Sequence, residues 1–206
     1  VDAAPDPNIP IYIASLGPRN LELTGELADG WKGTSFMPEH AHIFFDHIRA
    51  GAEKAGRSLD DIDLQAGGTV WFSDDVDEIV NRLRPALAYQ LGAMGSQQFN
   101  FYNAAYSRAG YGDIAKEIQS LWLSGKRDEA RERVPEDLVL KSGLIGTDEM
   151  VKDRLRAHKK AGVTTLSAAF RIGEGGQAKR KPSVDDRLTV LARLLNLAQE
   201  VSQEVP

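Results

Sequence analysis

The chain has 206 residues, 42% hydrophobic and 27% charged, with a formal net charge of -5 from 30 acidic and 25 basic side chains. This balance suits one folded domain with a real core; it gives no electrostatic drive toward nucleic-acid phosphates, although a few oriented backbone amides can hold a small anion at any net charge. Cysteine is absent, which excludes disulfides, thiolate catalysis and cysteine metal sites and agrees with a reducing cytoplasm, while no apolar run reaches the roughly 20 residues of a membrane span and no signal peptide is visible.

Residues 1–8 are polar and proline-bearing, as in a linker. The chain starts Val-Asp-Ala-Ala-Pro without an initiator methionine and soon enters an apolar run, so it is expected to be the start of a fragment. That run, Ile-Pro-Ile-Tyr-Ile-Ala at 9–14, predicts a strand buried on both faces. After Ser15-Leu16-Gly17-Pro18, residues 19–28 have helical spacing, with Leu21, Leu23, Leu27 and Ala28 apolar; Asp29-Gly30 stops them. Residues 31–36 predict a second strand. Pro38-Glu39 opens an amphipathic helix to about residue 55, its apolar face made by Ala41, Phe44, Phe45, Ile48 and Ala52.

Gly56-Arg57-Ser58 breaks that helix, and residues 62–72 predict a third strand. Ser73-Asp74-Asp75 supplies N-cap chemistry for a helix over 76–91, which Pro85 should kink or interrupt. Residues 92–110, rich in Gly, Asn and Tyr, read as irregular, and helices follow over 113–123 and 126–133; the whole region 92–146 is expected to be an insertion. Gly146-Thr147-Asp148-Glu149 caps a helix to about residue 161 and Gly162 ends it. Residues 163–170 predict a fourth strand. A Gly/Lys-rich loop (173–182) leads to a last helix over 184–201. Such alternation implies parallel strands with right-handed crossovers. Four strands suit a small open α/β sheet or half of an eight-stranded barrel.

The most informative local feature is Ile13-Ala14-Ser15-Leu16-Gly17-Pro18 before a helix. A strand feeding a tight turn at a helix N-terminus gathers free N–H groups and the positive end of the helix dipole, which suits phosphate. Gly17 permits close backbone approach, and Pro18 fits the first helical turn. The competing reading is an ordinary strand-to-helix turn; neither Gly-x-Gly-x-x-Gly nor a Walker lysine is present. His40, His42 and His47 share one helix without the i, i+4 spacing of a zinc helix and read as a solvated face, with His158 apart. The acidic pairs Asp60/Asp61, Asp74/Asp75 and Asp185/Asp186 sit at helix starts and read as caps. Ser15, Ser35 and Ser73 lack a nucleophile elbow. Phe99-Asn100-Phe101-Tyr102-Asn103, with Tyr106 and Tyr111, reads as local packing or as a pocket wall beside a flat ring. Arg171 and Lys179-Arg180-Lys181 read as a solvated basic loop or as cations for an anionic tail.

Taken together these blocks resemble the luciferase-like oxidoreductases. The order Ile9-Pro-Ile-Tyr-Ile-Ala-Ser-Leu-Gly-Pro18, helix, Ala28-Asp29-Gly30-Trp31 is similar to that family's late-barrel signature. Phe99-Asn-Phe-Tyr-Asn103 with Gly110-Tyr-Gly112, Val134-Pro-Glu-Asp-Leu138 with Gly146-Thr147, and Ala161-Gly-Val-Thr-Thr165 resemble its coenzyme F420-dependent class. The resemblance implies that residues 1–206 are the C-terminal half (strands 5–8) of a (β/α)8 TIM barrel carrying a helical insertion. It implies hydride transfer between F420 and a small organic substrate, with FMN-dependent monooxygenation as the alternative. By resemblance Ala14, Ser15, Leu16, Gly17 and Pro18 contact the coenzyme's phosphate-bearing tail; no catalytic residue and no metal ligand is assigned. The early strands that would wall the deazaflavin ring have no counterpart here. The chain is therefore expected to be inactive alone, and to self-associate or pair with an N-terminal half. A non-catalytic half-barrel module is the rival from another class.

Overall fold

Apolar alternation and helix caps along the chain resolve into parallel strands joined by helices. The computed structural model describes residues 9–96, 99–171 and 183–204. Its elements are β1 (Tyr12–Ile13), α1 (Pro18–Leu27), β2 (Gly30–Lys32), α2 (His42–Lys54), β3 (Asp63–Phe72), α3 (Val76–Ala93), α4 (Phe101–Tyr106), α5 (Gly112–Leu123), α6 (Arg127–Glu132), α7 (Glu136–Lys141), β4 (Leu144–Gly146), α8 (Asp148–Ala161), β5 (Thr165–Phe170) and α9 (Val184–Gln203). The linker at 1–8 and the basic run Lys179-Arg180-Lys181 lie outside the described residues.

All strand pairs are parallel, and their register gives the layout. Tyr12 pairs with Gly30, and Trp31 with Leu64. Gln65 has both Lys32 and Thr165 as partners, and Val70 has both Leu144 and Phe170. A strand has only two edges, so β5 runs along one edge of β3 while β2 and β4 share the other. β2 and β3 separate after Gly33 N–H reaches the Gln65 carbonyl (2.7 Å), and β4 takes that edge again only from Val70. The short strand β4 is a correction to the four strands expected. Three residues carry too little periodicity to be read from sequence.

The main core lies between the sheet and α1–α3, with Leu21, Trp31, Phe44, Ile48, Leu64, Ile79 and Leu91 buried. A smaller cluster joins α8 and α9 to β3 and β4 through Val70, Leu144, Val151, Leu155, Leu194, Leu197 and Val201. The expected caps form. The Asp75 carboxylate accepts from Glu78 N–H, Thr147 caps α8, and Asp61 and Asp186 close capping boxes with Ser58 and Ser183. Gly162 ends α8 in the left-handed region (φ 92°), where a side chain would be strained.

Three further expectations need correcting. Residues 9–14 are not buried on both faces: Ile9 and Ile11 are 65% and 62% exposed, because β1 is an edge strand with β2 as its partner. Pro85 does not interrupt α3. It sits on the exposed face with Asn81, so the carbonyl that loses its i+4 donor can be hydrated instead. Residues 92–110 are not irregular throughout, since α4 occupies Phe101–Tyr106, and α7 adds a helix that the sequence reading lacked. The side chains of Asn100 and Asn103 organise this segment: both donate to the Leu91 carbonyl (2.9 and 3.0 Å), and Asn103 also donates to the Ala115 carbonyl (2.9 Å). The bonds to Leu91 take up a carbonyl at the end of α3, and the bond to Ala115 ties the segment to α5.

Candidate functional site

In parallel sheets the loops after the strands' C-terminal ends gather on one face. Here they are the 14–18 turn after β1 and the 33–37 segment after β2. The turn is held from behind by three contacts. An aromatic group of Trp31, Phe36, Phe44 and Phe45, with ring centroids 5.3–5.9 Å apart, places the Trp31 indole N–H 3.0 Å from the Ser15 carbonyl. The Ser15 hydroxyl, buried, lies 2.9 Å from Thr24 Oγ1, and Thr24 itself donates to the Asn20 carbonyl (2.7 Å). Since Thr24 spends its proton on Asn20, Ser15 must be the donor to Thr24. Arg108, 92 residues along the chain, donates from Nη2 to the Leu16 carbonyl (2.6 Å).

With its carbonyls engaged, the turn leaves its amides free. Leu21 N–H reaches the Gly17 carbonyl (3.0 Å), but Leu16, Gly17, Arg19 and Asn20 N–H find no acceptor among the described residues. Gly17 is the N-cap of α1 and provides no side-chain cap; Pro18 follows as the first helical residue. A Cβ built at Gly17 would meet only Phe101, at 3.9 Å, so the approach to this backbone is open. The arrangement presents converging donors and a helix dipole to solvent, the chemistry of an anion site.

Beside the turn, the separation of β2 from β3 opens a cleft of about 260 Å³. Lys32, Ser35, Thr69, Tyr106, Ser142 and Ser167 supply much of its polar lining; Leu83 and Leu87 of α3 form an apolar wall, and no carboxylate lines it. Ser35 adopts φ 53° and its Oγ is enclosed. Burial pushes the Tyr106 phenol up to about 12, with Ser35 as its polar neighbour pulling the other way, so Tyr106 stays protonated near neutral pH. Gly67, at φ 151°, forms part of the floor; a Cβ there would lie 2.1 Å from the Ser167 carbonyl. Residues 14–18 do not line this cleft.

The other residues singled out in the sequence divide plainly. His158 is buried in α8 with Nδ1 2.7 Å from the Arg154 carbonyl, and burial lowers its pKa. The His40 and His42 rings lie near each other at a tilt of 58° (centroids 6.3 Å apart), and His47 lies 3.8 Å from Glu22. No cluster among the described residues could hold a metal ion, and none of their helices is long and apolar enough to cross a membrane. Phe99 and Phe101 are exposed, whereas Tyr106 joins the core and the cleft. At the opposite end of the strands, Asp63 collects hydroxyls from Tyr12 (2.7 Å), Thr164 and Thr165 (2.7 Å). Burial pushes the Asp63 carboxyl up, but these three donors outweigh it and hold the pKa low. This cluster ties β1, β3 and β5 together. Sequence reasoning missed Arg108 and Trp31 as supports of the turn; their only local signal was an arginine two residues before Gly110 and a tryptophan next to Gly30.

The model of the luciferase-like monooxygenase family matches residues 1–165. Among curated relatives, a Mycobacterium tuberculosis protein provisionally named a coenzyme F420-dependent oxidoreductase is 32% identical over 161 residues, covering 77% of this chain and 46% of that one. The 5,10-methylenetetrahydromethanopterin reductase of Methanopyrus kandleri is 31% identical over 168 residues, covering 81% and 46%. The solved structure of the F420-dependent tetrahydromethanopterin reductase from Methanopyrus kandleri superposes with a TM-score of 0.63 at 27% identity, covering 79% of this chain and 45% of that chain. An F420-dependent secondary alcohol dehydrogenase shares the fold (TM-score 0.61, 17% identity, 94% and 50% covered). The chain spans about half the length of these relatives. It belongs to the luciferase-like monooxygenase family.

Proposed function

We propose that this chain is the C-terminal half, strands five to eight, of a luciferase-like (β/α)8 barrel, and that it holds the phosphate-bearing tail of coenzyme F420 at Ala14, Ser15, Leu16, Gly17 and Pro18. The observation that carries the reading is the turn itself. Its carbonyls are pinned inward by Trp31, Arg108 and the α1 backbone, and four amides around it lack acceptors among the described residues. Those residues fit an anionic tail. When bound, the deazaflavin supplies hydride transfer to or from an organic substrate. This chain's own part is to grip and orient the tail, while Lys32 and the hydroxyls of the cleft present donors to a group lying across the strand ends. Tyr106 remains a neutral donor there.

The outer edge of β1, unpaired among the described residues, and the exposed Ile9 and Ile11 on that side of the sheet, with Leu23 and Leu27 of α1 also exposed, support pairing with a further set of parallel strands. Val184, Leu188 and Leu195 on α9 form a second exposed apolar stripe. An open strand edge with exposed apolar side chains favours association. The complete enzyme's activity needs that other half; this chain alone binds without turnover.

Fluorescence titration of the chain with F420 and, separately, with FMN tests the assignment. Saturable F420 binding with no hydride transfer by the chain alone is the expected result. Tight FMN binding without F420 binding would instead indicate a flavin monooxygenase. Binding of neither, in a chain that gel filtration shows to be a well-behaved monomer, would leave a non-catalytic module.

A further inference from the structure

We infer that Arg108 is a positioning residue for cofactor binding: through the Leu16 carbonyl it orients the Leu16–Gly17 peptide and so couples the helical insertion to the tail-gripping turn. The inference rests on the reading of residues 14–18 given above. Arg108 stands in the wider turn Ser107–Tyr111 that joins α4 to α5. Its Nη2 reaches the Leu16 carbonyl at 2.6 Å, its Nε is enclosed without an acceptor, and it forms no ion pair with a carboxylate among the described residues. Partial burial lowers its pKa.

A part-buried arginine is commonly paired with a carboxylate. This one is directed at a single main-chain oxygen, so its charge acts on that peptide. In a trans peptide the C=O and the following N–H point in opposite directions, and no cis bond occurs among the described residues. Drawing the Leu16 oxygen toward the insertion therefore turns the Gly17 N–H away from it, toward open space. A cation on the carbonyl also polarises the peptide and strengthens that N–H as a donor. Trp31 does the same to the preceding peptide through the Ser15 carbonyl, which leaves Leu16 N–H free. Gly17, the residue whose amide is set this way, has no side chain to hold its own conformation. With Arg108 removed, nothing else among the described residues bonds the Leu16 carbonyl, and this peptide is free to rotate.

The experiment compares binding of F420 with binding of its phosphate-free deazaflavin precursor, by fluorescence titration of the parent chain, Arg108→Ala and Arg108→Lys. Circular dichroism melts of the variants are recorded alongside. The parent should bind F420 more tightly than the precursor. Arg108→Ala should weaken F420 roughly tenfold, about the worth of one charge-assisted contact, and leave the precursor within about twofold. Arg108→Lys, which keeps a charged donor, should recover part of the loss. Equal weakening of both ligands would reduce Arg108 to a general structural support, and unchanged F420 binding would remove it from the site; either overturns the inference alone. A parent that binds neither ligand, or binds both equally, overturns the tail-binding reading and this inference with it.

Discussion

Helices α1 and α2 cross at two glycines, and replacing either with alanine tests the packing beneath the turn. On helix propensity alone, Gly51→Ala and Gly25→Ala should each stabilise by about 1 kcal/mol. The tertiary structure reverses the sign. A Cβ at Gly51 would lie 1.8 Å from the Glu22 carbonyl oxygen, and one at Gly25 would lie 2.0 Å from the Ile48 carbonyl oxygen. Carbon–oxygen contacts normally close at about 3.3 Å, leaving a deficit of about 1.5 Å. The opposing atoms are backbone and cannot rotate aside, so the helices must part. Overpacking of this kind costs about 1–3 kcal/mol, and the rigid neighbour argues for the upper end. After the propensity gain, a net loss of about 2 kcal/mol remains, a fall in melting temperature of about 4–8 °C for a chain of this length. Because both glycines relieve the same crossing, the double variant should lose less than the sum of the singles. Circular dichroism melts of the three variants measure this. A Gly51→Ala chain that melts at or above the parent's temperature would refute the close-approach argument.

The Ser15–Thr24 contact offers a second test: Thr24→Val strands a buried Ser15 hydroxyl and should cost about 1–3 kcal/mol, whereas Ser15→Ala leaves Thr24 bonded to Asn20 and should cost about 1 kcal/mol or less. Denaturant titration ranks the two, and the reverse order would show that Thr24 is not the acceptor. His158 predicts a pH effect. Burial holds its folded pKa below the unfolded value of about 6.5, so the unfolded chain takes up the proton first, and stability present above pH 6.5 declines as pH falls toward the folded pKa. NMR titration of the imidazole should give a midpoint below 6.5, and His158→Gln should flatten the stability profile between pH 7 and 5; a midpoint above 6.5 contradicts the burial. At the open edge of β1, Ile11→Lys should reduce self-association in light scattering while moving the melting temperature by less than about 2 °C, since an exposed position contributes little to the fold. A large loss of stability would mean that Ile11 is covered.

Arg108 also bears on the insertion. The segment at 92–146 carries Asn100 and Asn103, which bond the last carbonyls of α3, and Tyr106, which walls the cleft. It therefore touches the turn and the cleft together, and changes in its packing would be felt at both.

Much of this molecule could be read from residues in a row. Strand–helix alternation, the caps at Asp75, Thr147 and Asp186, the stop at Gly162 and the glycine–proline turn at 17–18 all follow from chemistry acting within a few residues, and sequence alone determined them. Tertiary structure decided the rest. β4 exists because β3 leaves part of an edge unpaired after β2 departs, which three residues at 144–146 cannot announce. Ile9 and Ile11 looked buried because they are apolar, but burial depends on a neighbour on the outer side of β1. The amides at Leu16 and Gly17 were expected from local sequence to be free; which way they face depends on Trp31 and on Arg108, 92 residues from Leu16. Local backbone chemistry provides donors, and only long-range contacts can aim them.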